Sequence, residues 1–138
     1  MAVDFEITAD NSAEVLRELE IRAQAALEAC GNQAVSHAKS NITAAGRVDT
    51  GAMRNSMTHQ VEEDTCYVGT NNEYAIYHEY GTGIYLEGGG GRQTPWVYVD
   101  AKGVGHRTRG IKPIHFLKNA IQNNIDEYKA IIEQQLKD

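Results

Sequence analysis

The strongest constraint on the fold is an apolar periodicity in the first third of the chain. Asn11, followed three residues later by Glu14, has the form of a helix N-cap with its reciprocal carboxylate. Apolar residues then recur at steps of three and four, which places them on one face of a helix. These residues are Leu16, Leu19, Ala23, Ala26 or Leu27, Cys30, Ala34 and Ala38. The spacing predicts a helix from about residue 12 to about residue 43.

The seam of this helix is rich in alanine, and small side chains let another element approach closely. Such a seam fits a core contact within one subunit and also fits a contact between two subunits. The sequence alone does not choose between these two interpretations.

The middle of the chain predicts short elements. Asp49, Thr50 and Gly51 have the composition of a turn that caps a short helix over residues 52–55. Two strand-like segments, 56–62 and 65–70, form a predicted hairpin. A second short helix over residues 73–80 is expected to end at Gly81 in a left-handed conformation, which glycine adopts without steric cost.

The last third predicts one more hairpin and a final helix. Residues 95–100 are rich in β-branched and aromatic side chains and predict a strand, with residues 104–108 as its return. Pro113 suits the first turn of a helix. The apolar residues that follow at steps of three and four are Ile114, Leu117, Ile121, Ile125, Tyr128, Ile132 and Leu136. They predict one continuous amphipathic helix.

This order of elements indicates an α+β fold, in which the long N-terminal helix and the C-terminal helix pack on one face of a small antiparallel sheet. The 138 residues are expected to form one domain, 1–138. We expect residues 1–11 and the glycine-rich loop 83–94 to be flexible, because four consecutive glycines at 88–91 are costly to order.

The sequence predicts no catalytic site, no metal site and no cofactor. The five histidines are scattered and form neither an HxxxH nor an HExxH pair. No serine or cysteine lies in a nucleophile elbow, and the glycine run lacks the GK[ST] ending of a phosphate loop. The two cysteines, Cys30 and Cys66, lack CxxC partners, so free thiols in a reducing cytoplasm are expected.

One basic segment contrasts with the formal net charge of −6. Its cations are Lys102, Arg107, Arg109 and Lys112, and no carboxylate lies between the first and the last of them. A basic stripe can neutralise phosphates or meet an acidic protein surface, so both DNA and an acidic partner are candidates, beside a solvated hairpin that contacts neither. The acidic total argues against a dedicated nucleic-acid-binding protein, which stays a remote alternative.

Several segments occur in an order that resembles a family of small tail-component proteins of long-tailed bacteriophages. The segments are Asp49-Thr50-Gly51-Ala52-Met53-Arg54-Asn55-Ser56, Val68-Gly69-Thr70-Asn71, Tyr74-Ala75-Ile76-Tyr77-His78-Glu79-Tyr80-Gly81-Thr82, Thr108-Arg109-Gly110, and Lys112-Pro113 with Phe116-Leu117 and Ala120. They span about residues 49–120. The chain departs from the family pattern at His115, where the family often carries a second proline.

The resemblance implies a non-enzymatic protein of the head-tail junction, a neck or tail-completion protein that assembles as a ring of identical subunits. A tail terminator or a head-closure ring subunit is the nearest alternative. The implied partners are further copies of the chain, neighbouring head-completion and tail proteins, and the DNA in the channel. The implied location is the virion, after synthesis in the host cytoplasm, with no membrane. On this interpretation the candidate interface residues are Arg54, Glu79, Tyr80 and Trp96, and Arg54 and Glu79 are candidate charged partners within or between subunits.

Overall fold

The computed structural model describes residues 12–48, 51–100 and 102–137, and these contain five α-helices, four strands and one 3-10 turn. The helices are α1 Ser12–Ala44, α2 Ala52–Asn55, α3 Ala75–Tyr80, α4 Phe116–Gln122 and α5 Ile125–Leu136. The strands are β1 Thr58–Glu62, β2 Thr65–Gly69, β3 Trp96–Val99 and β4 Gly105–Thr108, and the 3-10 turn is Gly83–Tyr85.

Helix α1 is the central element, and the β1–β2 hairpin packs against it. The strands are antiparallel, with His59 opposite Val68 and Val61 opposite Cys66. These four side chains are half-buried and alternate with exposed ones, as the two-residue period of a strand requires. The Nε2 atom of His59 lies 2.7 Å from Oε2 of Glu28 on α1, which ties the hairpin to the helix.

Helices α4 and α5 also pack against α1. The Asn41 side chain donates a 3.1 Å hydrogen bond to the carbonyl of Phe116. Nε2 of His37 lies 2.8 Å from a carboxylate oxygen of Glu127. The main core lies between the C-terminal half of α1 and helices α2, α3 and α4, around the fully buried Phe116 and Ile42. Its other buried members are Ala38, Met53, Met57, Ala75 and Ala120.

The predicted α+β class is confirmed, and so is the long N-terminal helix. The strands, however, form two separate two-stranded sheets rather than one. Among the described residues, the β1–β2 hairpin packs extensively against α1. The β3–β4 hairpin has no comparably extensive contact with any helix in that part of the chain.

The predicted single C-terminal helix is two helices. It begins at Phe116 rather than at Pro113, and it is interrupted at Asn123 and Asn124. The Asn124 side chain donates a 3.0 Å hydrogen bond to the carbonyl of Ala120, a local bond that competes with helical backbone pairing. Tyr128 also donates its hydroxyl to that carbonyl, at 2.5 Å, so the interruption is held by two side chains.

Candidate functional site

Helix α3 connects several elements of the candidate site through the side chains of His78 and Glu79. Glu79 is buried on this helix, with 5% of its surface exposed. Its two carboxylate oxygens accept the backbone N–H groups of Leu117 at 3.0 Å and Lys118 at 2.9 Å. These donors lie in the first turn of α4, where no intrahelical acceptor exists. Glu79 therefore caps α4 from a different element.

His78, the neighbour of Glu79, connects α3 to the end of α1. The Arg47 guanidinium donates to Nδ1 of His78 at 3.0 Å and to the carbonyl of Lys112, also at 3.0 Å. Because arginine can only donate, Nδ1 is unprotonated and the imidazole is neutral. Burial, together with the charge of Arg47, lowers the pKa of His78.

Closely packed backbone follows α3. Gly81 has φ +82° and ψ 173°, so it leaves the helix with a positive φ but in an extended conformation available to glycine rather than in the left-handed helical one. The amide of Thr82 donates to the carbonyl of Ile111 at 3.0 Å, and Ile84 donates to Arg109 at 3.1 Å. A Cβ on Gly83 would lie 1.9 Å from the carbonyl oxygen of Arg109, so this approach requires glycine.

These bonds form the base of the β3–β4 hairpin, residues 96–108, which we call the arm. Val97 and Val99 are two residues apart on β3 and therefore lie on the same face. They are 67% and 68% exposed. Arg107, opposite Val97 in the register, is also exposed. The valine face of the arm is thus open in one copy of the chain.

The tip of the arm is held by a single carboxylate. Asp100 accepts the backbone amides of Lys102 and Val104, each at 2.9 Å, and lies 2.7 Å from Nε2 of His106. The hydrogen bond from His106, followed by that from the Val104 amide, lowers the pKa of Asp100. The His106 ring stacks on Tyr98 at a centroid distance of 5.2 Å, which orders the face opposite the valines.

The other exposed surface is the start of α1. Residues 12–21 are exposed on every side of the helix, and we call them the N-terminal extension. Leu16 is 61% exposed and Leu19 45% exposed. The same apolar face continues along α1 into Ala26 and Cys30, which are buried. The predicted seam is therefore a core in the C-terminal part of α1 and an open surface in the N-terminal part.

The turn residues of the sequence prediction are only partly described. Asp49 and Thr50 lie outside the described residues. Gly51 precedes α2 with φ +83°. Arg54 donates from Nε to the hydroxyl of Thr43 at 2.9 Å, whereas Glu79 binds α4. Within one copy Arg54 and Glu79 therefore bind other groups and not each other, although a pairing within one subunit was one of the two possibilities that the sequence left open. Because Glu79 is buried, its carboxylate is also not displayed to a neighbouring subunit.

Tyr80 and Trp96 differ in exposure. Tyr80 is 50% exposed and meets the His115 ring edge to face at 6.5 Å. Trp96 is half-buried at the base of the arm, beneath the Arg92 guanidinium at 5.4 Å. Tyr80 belongs to an apolar groove between α3 and α4 that also includes Ile76 and Ile121, which we call the α3–α4 groove.

The four predicted cations are exposed and lie at different positions along and after the arm. Lys102 lies at the tip of the arm, Arg107 on its strand and Arg109 at its base. The ammonium group of Lys112 lies 5.7 Å from the centre of the Tyr85 ring, below the arm.

The described residues present no metal-binding cluster: in 12–48, 51–100 and 102–137 no three His, Cys, Asp or Glu side chains are grouped to hold an ion. In that same part of the chain, no helix has the length and apolar character to cross a membrane. Cys30 and Cys66 are free thiols, and burial raises the pKa of both.

Comparison with known families finds a match to the family described as "Bacteriophage HK97-gp10, putative tail-component", over residues 8–81. The chain belongs to this family. No curated protein and no solved structure matches the chain. The protein is accordingly a structural component associated with the phage tail, as the resemblance implied.

The matched range of this tail component runs from the segment before α1 to the end of α3. It contains α1, the β1–β2 hairpin and Glu79. The arm, α4 and α5 lie outside the matched range.

Sequence reasoning missed Arg47, Gly83 and the two exposed valines of the arm. Arg47 occurs in a segment without periodicity, and its partners are 31 and 65 residues away. Val97 and Val99 were expected as a strand, but the strand pattern does not say that the face stays open.

Proposed function

We propose that this tail component is a non-enzymatic subunit of the head-tail junction, where it assembles as a ring during neck formation or tail completion. The observation that carries the proposal is the combination of family membership with apolar side chains exposed on two surfaces, the valine face of the arm and Leu16 and Leu19 of the N-terminal extension. A monomer that functions alone would gain nothing from apolar side chains exposed at both places.

The hydrogen bonds of His78 and Glu79 on α3 support a structural role. His78 and Glu79 are the pair that a hydrolase would be expected to use. His78 accepts a hydrogen bond from Arg47, and Glu79 binds two amides of α4. Both side chains are occupied in holding elements together.

The first test is deletion of the gene from its phage or prophage, followed by negative-stain electron microscopy of the induced lysate. We expect DNA-filled heads separate from tails, or tails of abnormal length. Complementation with the wild-type gene should restore joined particles. Normal joined virions after deletion would contradict the proposal.

The same micrographs separate the alternative positions of the protein. A tail terminator predicts tails of uncontrolled length, because the stop at the upper end is lost. A head-closure subunit predicts heads that lose their DNA. Mass spectrometry of purified virions, which we expect to contain the chain, tests its location directly.

A further inference from the structure

We infer that copies of this chain join head to tail, with the arm of one copy lying on the N-terminal extension of α1 of the next. The inference rests on the proposed ring and names its contact. It starts from the observation that the valine face of the arm and the apolar face of the extension are both exposed in a single copy. Neither surface therefore covers the other within one chain.

The extension needs a cover for a reason that lies in α1 itself. Its apolar face is the continuation of the face that α5 and the β1–β2 hairpin cover further along. The ten exposed residues 12–21 add about 15 Å of helix beyond these contacts. In proteins most helical stability comes from tertiary packing of an apolar face, and Leu16 and Leu19 are exposed in one copy. A partner on Leu16 and Leu19 would supply that packing.

The arm offers a matching surface. Val97 and Val99 form a flat apolar face, and Gly105 opposite Val99 leaves room for a helix to approach. Arg107 lies opposite Val97 in the register and brings positive charge to that face, and Lys102 is exposed in the turn of the arm. The carboxylate of Asp100 accepts two amides within the arm and lies 2.7 Å from Nε2 of His106, and it offsets part of this charge.

The opposite charges of the arm and the extension favour the extension as the segment that the arm contacts. The extension, residues 12–21, carries three carboxylates and one arginine, whereas the arm, residues 96–108, carries one lysine and one arginine against the carboxylate of Asp100. On the extension itself Glu14, Glu18 and Glu20 are exposed, and Glu18 forms an ion pair with Arg22 at 2.7 Å. The α3–α4 groove is also apolar, but Glu79 there is buried and Lys118 is exposed, so it does not attract a basic arm.

Distance makes the contact intermolecular. The base of the arm is bound to Arg47, just beyond the C-terminal end of α1, through the carbonyl of Lys112. Leu16 is near the opposite end, about 45 Å away at 1.5 Å per helical residue. The four-residue strands of the arm reach about 13 Å. The two complementary surfaces thus lie at opposite ends of one copy, which is the arrangement that generates rings or filaments.

Two fold-preserving variants test the contact. The arm variant carries Val97→Thr, Val99→Thr and Arg107→Gln, which keep strand propensity but remove apolar surface and charge. The extension variant carries Leu16→Gln, Leu19→Gln and Glu20→Gln, which keep helix propensity. Lys129→Gln, an exposed change on α5, is the matched control for a lost cation.

Native mass spectrometry of the purified full-length proteins gives the first readout. Each variant alone is expected to lose the oligomers that the wild type and the control form at high concentration. A mixture of the two variants should give dimers and nothing larger, because one intact arm then meets one intact extension. Oligomers of either variant alone equal to those of the wild type would overturn the inference, and so would a mixture that stays monomeric.

Carbodiimide cross-linking of mixed isotope-labelled and unlabelled wild-type chains gives the second readout. We expect Lys102 of one copy to be linked to Glu14, Glu18 or Glu20 of another, in concentrated solution or in purified virions. Links from Lys102 only to other segments, or no intermolecular link in either sample, would overturn the inference. A protection of Lys102 by added DNA duplex instead of by a second copy would do the same.

These outcomes are separate from failure of the proposed function. A chain that is present in virions but lacks the Lys102 links removes the head-to-tail contact and keeps the junction role. A chain that forms the links in solution, yet whose deletion leaves virions normal, removes the junction role and keeps the contact.

Discussion

Replacement of Glu79 is the most direct test of how the core of this tail component is held together. The carboxylate makes two hydrogen bonds, 3.0 and 2.9 Å long, to the first turn of α4 while it is buried. Hydrogen bonds to a charged group contribute about 1.5–3 kcal/mol each, and removal leaves buried N–H donors without a partner. Part of this gain is offset by the cost of burying the charge. We therefore expect Glu79→Ala to lower the free energy of unfolding by about 3 kcal/mol.

Glu79→Gln refines the test, because its amide keeps one acceptor oxygen but turns an NH₂ group toward the second donor. We expect a loss of about 2 kcal/mol, measured by urea unfolding followed by circular dichroism. The matched control is Glu73→Gln, an equal change of charge at an exposed position just before α3, which should stay within about 0.5 kcal/mol of the wild type. A Glu79→Gln protein as stable as that control would refute the assigned cap.

Three further predictions concern the close approach at Gly83, the titration of His78 and the cations of the arm and its base. Gly83→Ala would place a Cβ 1.9 Å from a backbone oxygen and should cost more than about 2 kcal/mol in thermal melts, whereas Gly88→Ala, also at positive φ but with open space, should cost less. Because the pKa of His78 is lowered, stability should fall as the pH drops below about 6.5 and level off below the folded-state pKa; His78→Gln should remove this step from urea unfolding curves. Fluorescence titrations with short DNA measure how the binding constant depends on salt concentration. Alanine at three cations of the arm and its base should leave this dependence unchanged. A slope of log K against log salt that falls by about 0.9 per lost contact would instead assign these cations to DNA. These cations are Lys102, Arg107 and Arg109.

Periodicity determined most of the secondary structure. The apolar steps along α1 predict its length to within a residue or two, since a 33-residue helix presents the same pattern throughout. Both hairpins are also predicted, because alternating side chains and turn residues are local signals. Family membership was visible from motifs, of which those at residues 49–81 lie inside the matched range.

Local pattern failed where side-chain bonds override it. The apolar steps pass through Ile121 and Ile125 without a break, so the sequence predicts one helix. The asparagines between them interrupt it, because the Asn124 side chain bonds to the carbonyl of Ala120. Likewise, nothing near Glu79 in sequence shows that its partners are 38 and 39 residues away.

The sequence by itself determined which faces of the helices and strands are apolar, because side-chain period follows directly from backbone geometry. Only the tertiary structure decided which of those faces are covered. Leu16 and Cys30 belong to one stripe with one period, yet Leu16 is 61% exposed and Cys30 is buried. The difference arises because α5 and the β1–β2 hairpin reach only part of α1, and their reach depends on chain topology rather than on local sequence. The surfaces left open by that topology are the ones through which we propose that the tail component assembles.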